Sequence, residues 1–430
     1  MSALFFAVYW PCFAKEGKEL PNFSVKDSVF EAAAERFGTP LYLYDERGIR
    51  AAARALNAAF AWNRGFREYY AVKALPNPAV LRILMEEGCG LDCSSQVELL
   101  LAQKVGAGGS DIMFSANAMP PSELGLARAM GALVNLDDRS DVDTLTGFGV
   151  PEVVSLRVNP GGKGGNQFMG GGLDAKFGWM PSQLEDGLLV LKAAGALRFG
   201  LHAMTASNTL QEEYFAGNAA MLLHLGLELE RKTGLALDFV NLSGGLGIPY
   251  RPEEKTNDLA LAGELVRREY RKALGERDDV RVFTELGRLL TGPSGFLLSR
   301  VLHLKRTYRD YAGLDASAAN LLRPAMYGAY HHATVAGRRD APHDHVYDLT
   351  GPLCENNDKF AVQRPLPELR LGDLVVLHDA GAHAHAMGYQ YNGRLRCAEA
   401  LHTTGGGFRL IRRNETPEDY FATLVEGETE

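Results

Sequence analysis

Three short stretches hold residues whose types and spacing could do chemistry. Lys73 stands in "EYYAVKAL" (68–75), Gly244 and Gly245 in "NLSGGLGIPY" (241–250), and Glu285 and Arg288 in "TELGR" (284–288). A lysine amid tyrosine, valine and alanine is costly to bury unless it is paired or modified. Its uses are an ion pair, a general base, or a Schiff base with a carbonyl. Adjacent glycines let backbone N–H groups approach an oxyanion, although the same pair also makes an ordinary tight turn. The Glu285–Arg288 spacing taken alone fits a solvated ion pair. His202, in "GLHAMTAS", is either a ring that lies flat on a cofactor or a satisfied histidine of the interior. An amine for a carbonyl, a phosphate cradle and an acid that holds a pyridine nitrogen protonated together describe a pyridoxal 5'-phosphate site.

These residues need elements to bring them to one place. Between residues 68 and 290 lie eight short apolar runs: "EYYAVKAL", "CGLDC", "IMFSA", "LVNLD", "VVSLRVNP", "RFGLHAM", "FVNLSGG" and "RVFTELG". Segments of helical period follow them, such as "NPAVLRILMEEG" and "SSQVELLLAQKVG". The alternation predicts an α/β protein built on a (β/α)8 TIM barrel. A strand buried on both faces stays apolar up to its carboxyl end. The polar residues fall at those ends: Lys73, Asp92, Ser115, Asp137, Arg157 with Asn159, His202, Gly244 with Gly245, and Glu285 with Arg288. That face is where barrel active sites are assembled. The barrel is expected over 38–292. Residues 293–430, with shorter β-like runs broken by Gly, Pro, Asn and Asp, together with 1–37, form a second, mostly β domain.

Composition narrows the function classes. The 430 residues carry a formal net charge of −8 and show no Lys/Arg stripe interleaved with aromatics, which argues against a nucleic-acid partner. Five scattered cysteines without zinc-type pairing fit a reducing compartment, so a cytoplasmic location is expected. The apolar opening "MSALFFAVYWPCFAKEG" lacks a basic leader, contains Pro11 and is too short to span a bilayer; it reads as a buried strand, with no membrane partner.

The chain resembles the alanine-racemase-like, fold type III pyridoxal-phosphate decarboxylases, and among them the branch that acts on diaminopimelate. "YYAVKAL" is similar to the family's Schiff-base strand, "LDCSSQVEL" to its Asp-x-x-Ser-x-x-Glu element, and "GLHAMTAS" to its His-x-x-Ser element with Thr205 in the hydroxyl position. "NLSGGLGIPY" matches the glycine loop and "TELGR" the Glu-Pro-Gly-Arg loop, with Leu286 in place of proline. "RPAMYGAYH", "GPLCENND" and "YNGRLRCAE" match blocks of the second domain.

The resemblance implies that Lys73 holds the cofactor, His202 stacks on its ring and Glu285 pairs with the pyridine nitrogen. Gly244, Gly245, Gly287, Arg288 and Tyr391 would surround the phosphate, with Thr205 a further contact. Arg323, Tyr327 and Glu355 would grip the distal head of an amino-acid substrate, with Arg288 and Tyr391 beside it, and Cys354 would reach the reacting carbon. The second-domain blocks would enter the partner subunit's barrel, making a homodimer with shared sites. The implied reaction is decarboxylation of meso-2,6-diaminopimelate to L-lysine and CO2, the last step of lysine biosynthesis. A planar guanidinium at Arg323 suits a distal carboxylate and repels the distal ammonium of D-ornithine or D-lysine. The alternatives are a related decarboxylase of another basic amino acid, D-ornithine, D-lysine or a carboxynorspermidine-like diamine, and a non-catalytic cofactor-binding protein.

Two further departures from the family stand out. "HAMT" has no glycine before the hydroxyl, and His383 occupies a position where tyrosine is usual. His383 and His385 are expected on one strand face, where they could ligate a metal, but two ligands without a third leave no metal site expected.

Overall fold

The computed structural model describes residues 25–161 and 174–425. The apolar opening and Cys12 lie outside them. The chain enters through helix α1 (Asp27–Phe37) and strand β1 (Leu41–Asp45). Helix α2 (Glu46–Ala59), capped by the Asp45 side chain, leads from there to the barrel. Eight parallel strands then close in chain order: β2 (Arg67–Ala71), β3 (Gly90–Cys93), β4 (Ile112–Ser115), β5 (Leu133–Leu136), β6 (Val153–Arg157), β7 (Arg198–His202), β8 (Ala236–Asn241) and β9 (Arg281–Thr284). All eight apolar runs supply one barrel strand each.

Helices α3 (Pro78–Glu86), α4 (Gln96–Val105), α5 (Pro121–Ala129), α6 (Arg139–Phe148), α7 (Leu184–Ala193), α8 (Glu213–Thr233), α9 (Leu259–Leu274) and the single turn α10 (Arg288–Thr291) follow the strands. Local sequence sets their ends. Asn77 caps α3 by accepting from the Ala79 N–H at 3.0 Å, with Pro78 at the first turn. Ser95 caps α4, which stops at Gly106 in the left-handed region. The barrel interior is filled by Tyr69, Met113, Phe239 and Phe283, all buried. Gly200 makes room for them, because a Cβ there would lie 2.2 Å from the Phe239 ring.

The second domain is a nine-stranded sheet built on β10 (Gly295–Arg306), β11 (Asp310–Leu314), β12 (Ala333–Val335), β13 (His345–Thr350), β14 (Lys359–Leu366), β15 (Leu374–Leu377), β16 (Ala398–His402) and β17 (Phe408–Arg412), with short helices α11 (Arg323–Tyr327) and α12 (Pro417–Phe421). Its ninth strand is β1, antiparallel to β10 and parallel to β16. The expected boundary at residue 38 puts this strand in the barrel; the pairing puts it in the second domain. The strand "LYLYD" is buried along its whole length, a pattern that fits a central strand of either sheet, and only the pairing partner decides. Helix α1 packs Phe30, Ala33 and Ala34 on the same sheet, against Leu41, Phe296 and Val376. Among the described residues no helix is long and apolar enough to cross a membrane.

Candidate active site

The carboxyl ends of the barrel strands open into a cleft. Lys73 lies one turn past β2, in a 3-10 turn (Val72–Ala74) whose other two residues are buried while Lys73 itself is exposed. The apolar run therefore packs Val72 and Ala74 and delivers the amine to the cleft, which it lines with His202, Gly244, Gly245, Glu285, Gly287 and Arg288. The structure thus gathers seven sequence-selected residues in one place.

Glu285 is the most tightly held group in it. Oε1 accepts from the Asn241 amide at 2.6 Å and from the Ser115 hydroxyl at 3.3 Å, and Oε2 accepts from the Ser243 hydroxyl at 2.9 Å. His202 brings Nε2 to 2.9 Å from Oε2. Burial raises the carboxyl pKa, but the His202 charge and the hydrogen bonds from His202, Ser243 and Asn241 outweigh it and hold the group below its ordinary range. Glu285 is accordingly a buried, ionised acid. Asp92, also in the cleft wall, goes the other way: burial and the negative Glu285 raise it, against the opposing pull of Lys73 and Arg157. Two carboxylates pushed in opposite directions are a frequent mark of functional sites.

The glycine loop leaves room where a ligand's anionic end could lie. Gly245 has φ +120°, outside the reach of other residues, and a Cβ on it would come within 2.4 Å of the Tyr214 ring. A Cβ on Gly244 would sit 2.8 Å from the Glu285 carbonyl oxygen. Arg288 closes this side and donates to the Tyr250 hydroxyl. An accessible amine, an ionised buried acid, a cradle emptied of side chains and the unpartnered Asp92 Oδ1 fit pyridoxal 5'-phosphate.

Other selected residues lie elsewhere. Thr205 does not line the cleft; its hydroxyl is 3.2 Å from the Tyr214 hydroxyl and 3.3 Å from Asn218 Oδ1, and Ser207 lines the cleft instead. Thr205 is held by α8, and Ser207, two residues later, takes its place in the cleft wall. Arg323, 7% exposed, stacks 4.5 Å from the centre of the Tyr250 ring. It donates to His331 Nε2 at 3.1 Å, while His331 Nδ1 donates to the His378 carbonyl at 2.9 Å. Burial, with Arg323 next to it, lowers the His331 pKa to about 3, so this histidine is a neutral acceptor. Tyr250 thus joins Arg288, in the cleft, to Arg323, behind it. Tyr327, Cys354, Glu355 and Tyr391 are exposed and line no part of this chain's cleft; Tyr391 donates to Glu355 Oε1 at 2.9 Å.

His383 lines the cleft, whereas His385 is buried away from it, between the Cys397 carbonyl and Arg396. They share no strand face: His383 sits at φ +52° and His385 begins a 3-10 turn. Among the described residues no group of three metal-ligating side chains occurs. The sequence reading did not single out Asn241, Ser243 and Tyr250, although all three lie inside the quoted glycine block; attention to the glycines hid the polar residues between and after them.

Similarity to known proteins agrees with this geometry. The model of the pyridoxal-dependent decarboxylase pyridoxal binding domain matches residues 46–292. Over 393 residues the chain is 43% identical to Protein TabA of Pseudomonas amygdali pv. tabaci, covering 91% of this chain and 92% of that one. It is 37% identical over 403 residues to diaminopimelate decarboxylase of Methanothermobacter thermautotrophicus, covering 92% of each. The crystal structure of diaminopimelate decarboxylase from M. jannaschii in complex with L-lysine superposes with a TM-score of 0.86 at 27% identity, covering 95% of this chain and 98% of that one. With a family match that begins at α2, ahead of the first barrel strand, and runs through Lys73, Glu285 and Arg288, the chain belongs to the fold type III pyridoxal-dependent decarboxylases and is an enzyme that uses pyridoxal 5'-phosphate.

Proposed function

We propose that the enzyme decarboxylates meso-2,6-diaminopimelate to L-lysine and CO2. The observation that carries this reading is Arg323, a buried guanidinium set one ring beyond the cleft-lining Arg288. A second cation beyond the phosphate-side Arg288 suits a substrate that keeps a carboxylate at its distal end. A planar guanidinium binds a carboxylate bidentately, and a distal ammonium without that carboxylate would meet only repulsion. The 37% identity to a diaminopimelate decarboxylase supports the same choice.

Pyridoxal 5'-phosphate, when bound, would supply the electron sink for the electron pair that departing CO2 leaves on the substrate's α-carbon. The chain's residues do the rest. Lys73 Nζ, the amine that the cleft presents, would hold the cofactor through its carbonyl carbon. Glu285, kept ionised by Asn241 and Ser243, holds a proton on the ring nitrogen. Arg288 and the loop at Gly244–Gly245 bind the anionic end. Cys354, Glu355 and Tyr391, exposed on this chain, serve the cleft of a second subunit, where Glu355 takes the distal amine and Cys354 lies near the proton-accepting carbon. This makes the active unit a homodimer.

A second reading has its own support. The 43% identity to TabA, the hydroxyl switch from Thr205 to Ser207 and the histidine at 383 favour a related amino acid that keeps a distal head group. The test is CO2 release from meso-diaminopimelate, D-ornithine and D-lysine by the wild type and by Arg323→Ala. Preference for diaminopimelate, and a loss of about 100-fold or more in kcat/KM with bound cofactor retained in the variant, are expected. Preference for a substrate lacking the distal carboxylate overturns the reading.

A further inference from the structure

The strand that leads into the Lys73 turn carries an acid for which the reaction above has no use. Glu68, in β2, is 1% exposed and pairs in register with Thr284 of β9. Its two oxygens are turned to the start of the loop that bears Glu285 and Arg288. The Thr284 hydroxyl donates to Oε2, and the Leu286 N–H donates to Oε1 at 2.7 Å. A carboxyl group taken out of water is a costly side chain for a barrel strand unless its hydrogen bonds do something an apolar residue could not. Burial raises its pKa to about 8, with the neighbouring Glu285 adding to the rise and both hydrogen bonds opposing it, so near neutral pH Glu68 is an uncharged acid.

The second observation lies at position 286. A proline there would fix its own φ and have no N–H to give. Leu286 has an N–H, and Glu68 receives it. The next residue, Gly287, is pressed against the lysine turn: a Cβ on it would meet the Ala74 Cβ at 2.6 Å and the Ala71 Cβ at 3.3 Å. The loop therefore touches the lysine-bearing segment at two points, one a packing contact and the other the Glu68 hydrogen bond. Both Leu286 and Gly287 are buried, so water does not replace a bond lost there.

We propose that Glu68 is a positioning residue of this enzyme: through the Leu286 N–H it locates the Glu285–Arg288 loop against the Lys73 turn, the task that proline's fixed φ would perform at position 286. The inference rests on Glu285 and Arg288 facing the cofactor, and it is independent of which amino acid is decarboxylated. It ties together two residues that are far apart in sequence and each unusual alone, an acid in an apolar strand and a leucine in a proline's place.

The test is a double-mutant cycle in the holoenzyme, reading the visible absorbance of bound cofactor, the cofactor dissociation constant, kcat, KM and the melting temperature. Glu68→Gln presents an acceptor at the same reach and is expected to keep kcat within about threefold of wild type. Glu68→Leu is expected to lower kcat by about 10- to 100-fold, to shift the cofactor band and to leave KM nearly unchanged, as misplacement of reacting groups does. Adding Leu286→Pro to it is expected to restore the band and to bring kcat back to within about threefold of wild type. Should Glu68→Leu not fold, Glu68→Asp, which draws the acid back by one methylene, must move the same readouts and be restored by the same proline. Wild-type kcat and absorbance in Glu68→Leu, or in Glu68→Asp where that variant replaces it, overturn the proposal, as does a folded double variant no better than its Glu68 parent. Glu285→Gln, measured alongside, separates the two assignments: if it leaves the band unmoved while the cycle behaves as stated, the reading of Glu285 fails and that of Glu68 stands.

Discussion

Lys73 is exposed although its neighbours Val72 and Ala74 are buried, and that contrast is what a lysine offered to a ligand requires. A lysine that only served an ion pair would have a carboxylate within bonding distance, and among the described residues no such hydrogen bond or salt bridge ties Lys73 down. The holoenzyme is expected to show the long-wavelength absorbance of lysine-bound cofactor. Borohydride should abolish it, and Lys73→Ala should lack it; a band that persists in the variant would refute the assignment. Glu68 gives a prediction in pH. Its pKa rises from an ordinary 4.5 to about 8 on folding. Between those values the folded chain keeps a proton that the unfolded chain has released, so this group's contribution to stability falls as pH rises through the window. Glu68→Gln removes that loss. Thermal melts of the cofactor-free protein should show the variant gaining on the wild type from about pH 5 to about pH 8. An unchanged gap across that range would mean that Glu68 does not titrate there.

Loops at the strand ends, more than the strands, carry the chemistry. The strands were legible because each is a short apolar run ending in a polar residue, the pattern that burial on both faces imposes. What their loops do was less legible. The hydroxyl expected from Thr205 points at Tyr214 and Asn218, because the turn after β7 is set by contacts with α8 that a local motif does not contain. The glycine loop after β8 behaves as its sequence suggests. Gly245→Ala would need φ +120° and would drive a methyl into the Tyr214 ring. We expect it to cost about 1–3 kcal/mol of stability from backbone strain alone, and to weaken cofactor binding by tenfold or more as the cradle shifts. Equilibrium unfolding and a cofactor titration measure the two effects separately.

In the whole molecule, the residues assigned to one reaction lie in two groups. Lys73 and Glu285 line the cleft, whereas Cys354, Glu355 and Tyr391 stand exposed and hold one another through the Tyr391–Glu355 hydrogen bond. A two-fold assembly that docks the second group on the first would repeat the contact and make two sites per dimer. Inactive Lys73→Ala mixed with inactive Glu355→Ala, under conditions that exchange subunits, should then regain activity, because some mixed dimers put both lesions in the same site and leave the other whole. Exchange without recovered activity would mean that each chain builds its own site.

The amino-acid sequence by itself determined the barrel and pointed to the lysine and the acid that line its cleft, since apolar period, strand-end polarity and ordered motifs are local properties of the chain. Tertiary structure alone decided which sheet receives β1, because a wholly buried strand fits either one and the choice lies with its partners β10 and β16. It decided that Asn241 and Ser243 hold Glu285, and that Tyr250 links Arg288 to Arg323. It also decided that Glu68 meets Leu286, 218 residues away. No pattern along the chain encodes such a contact, because the hydrogen bond exists only once the first barrel strand closes on the last.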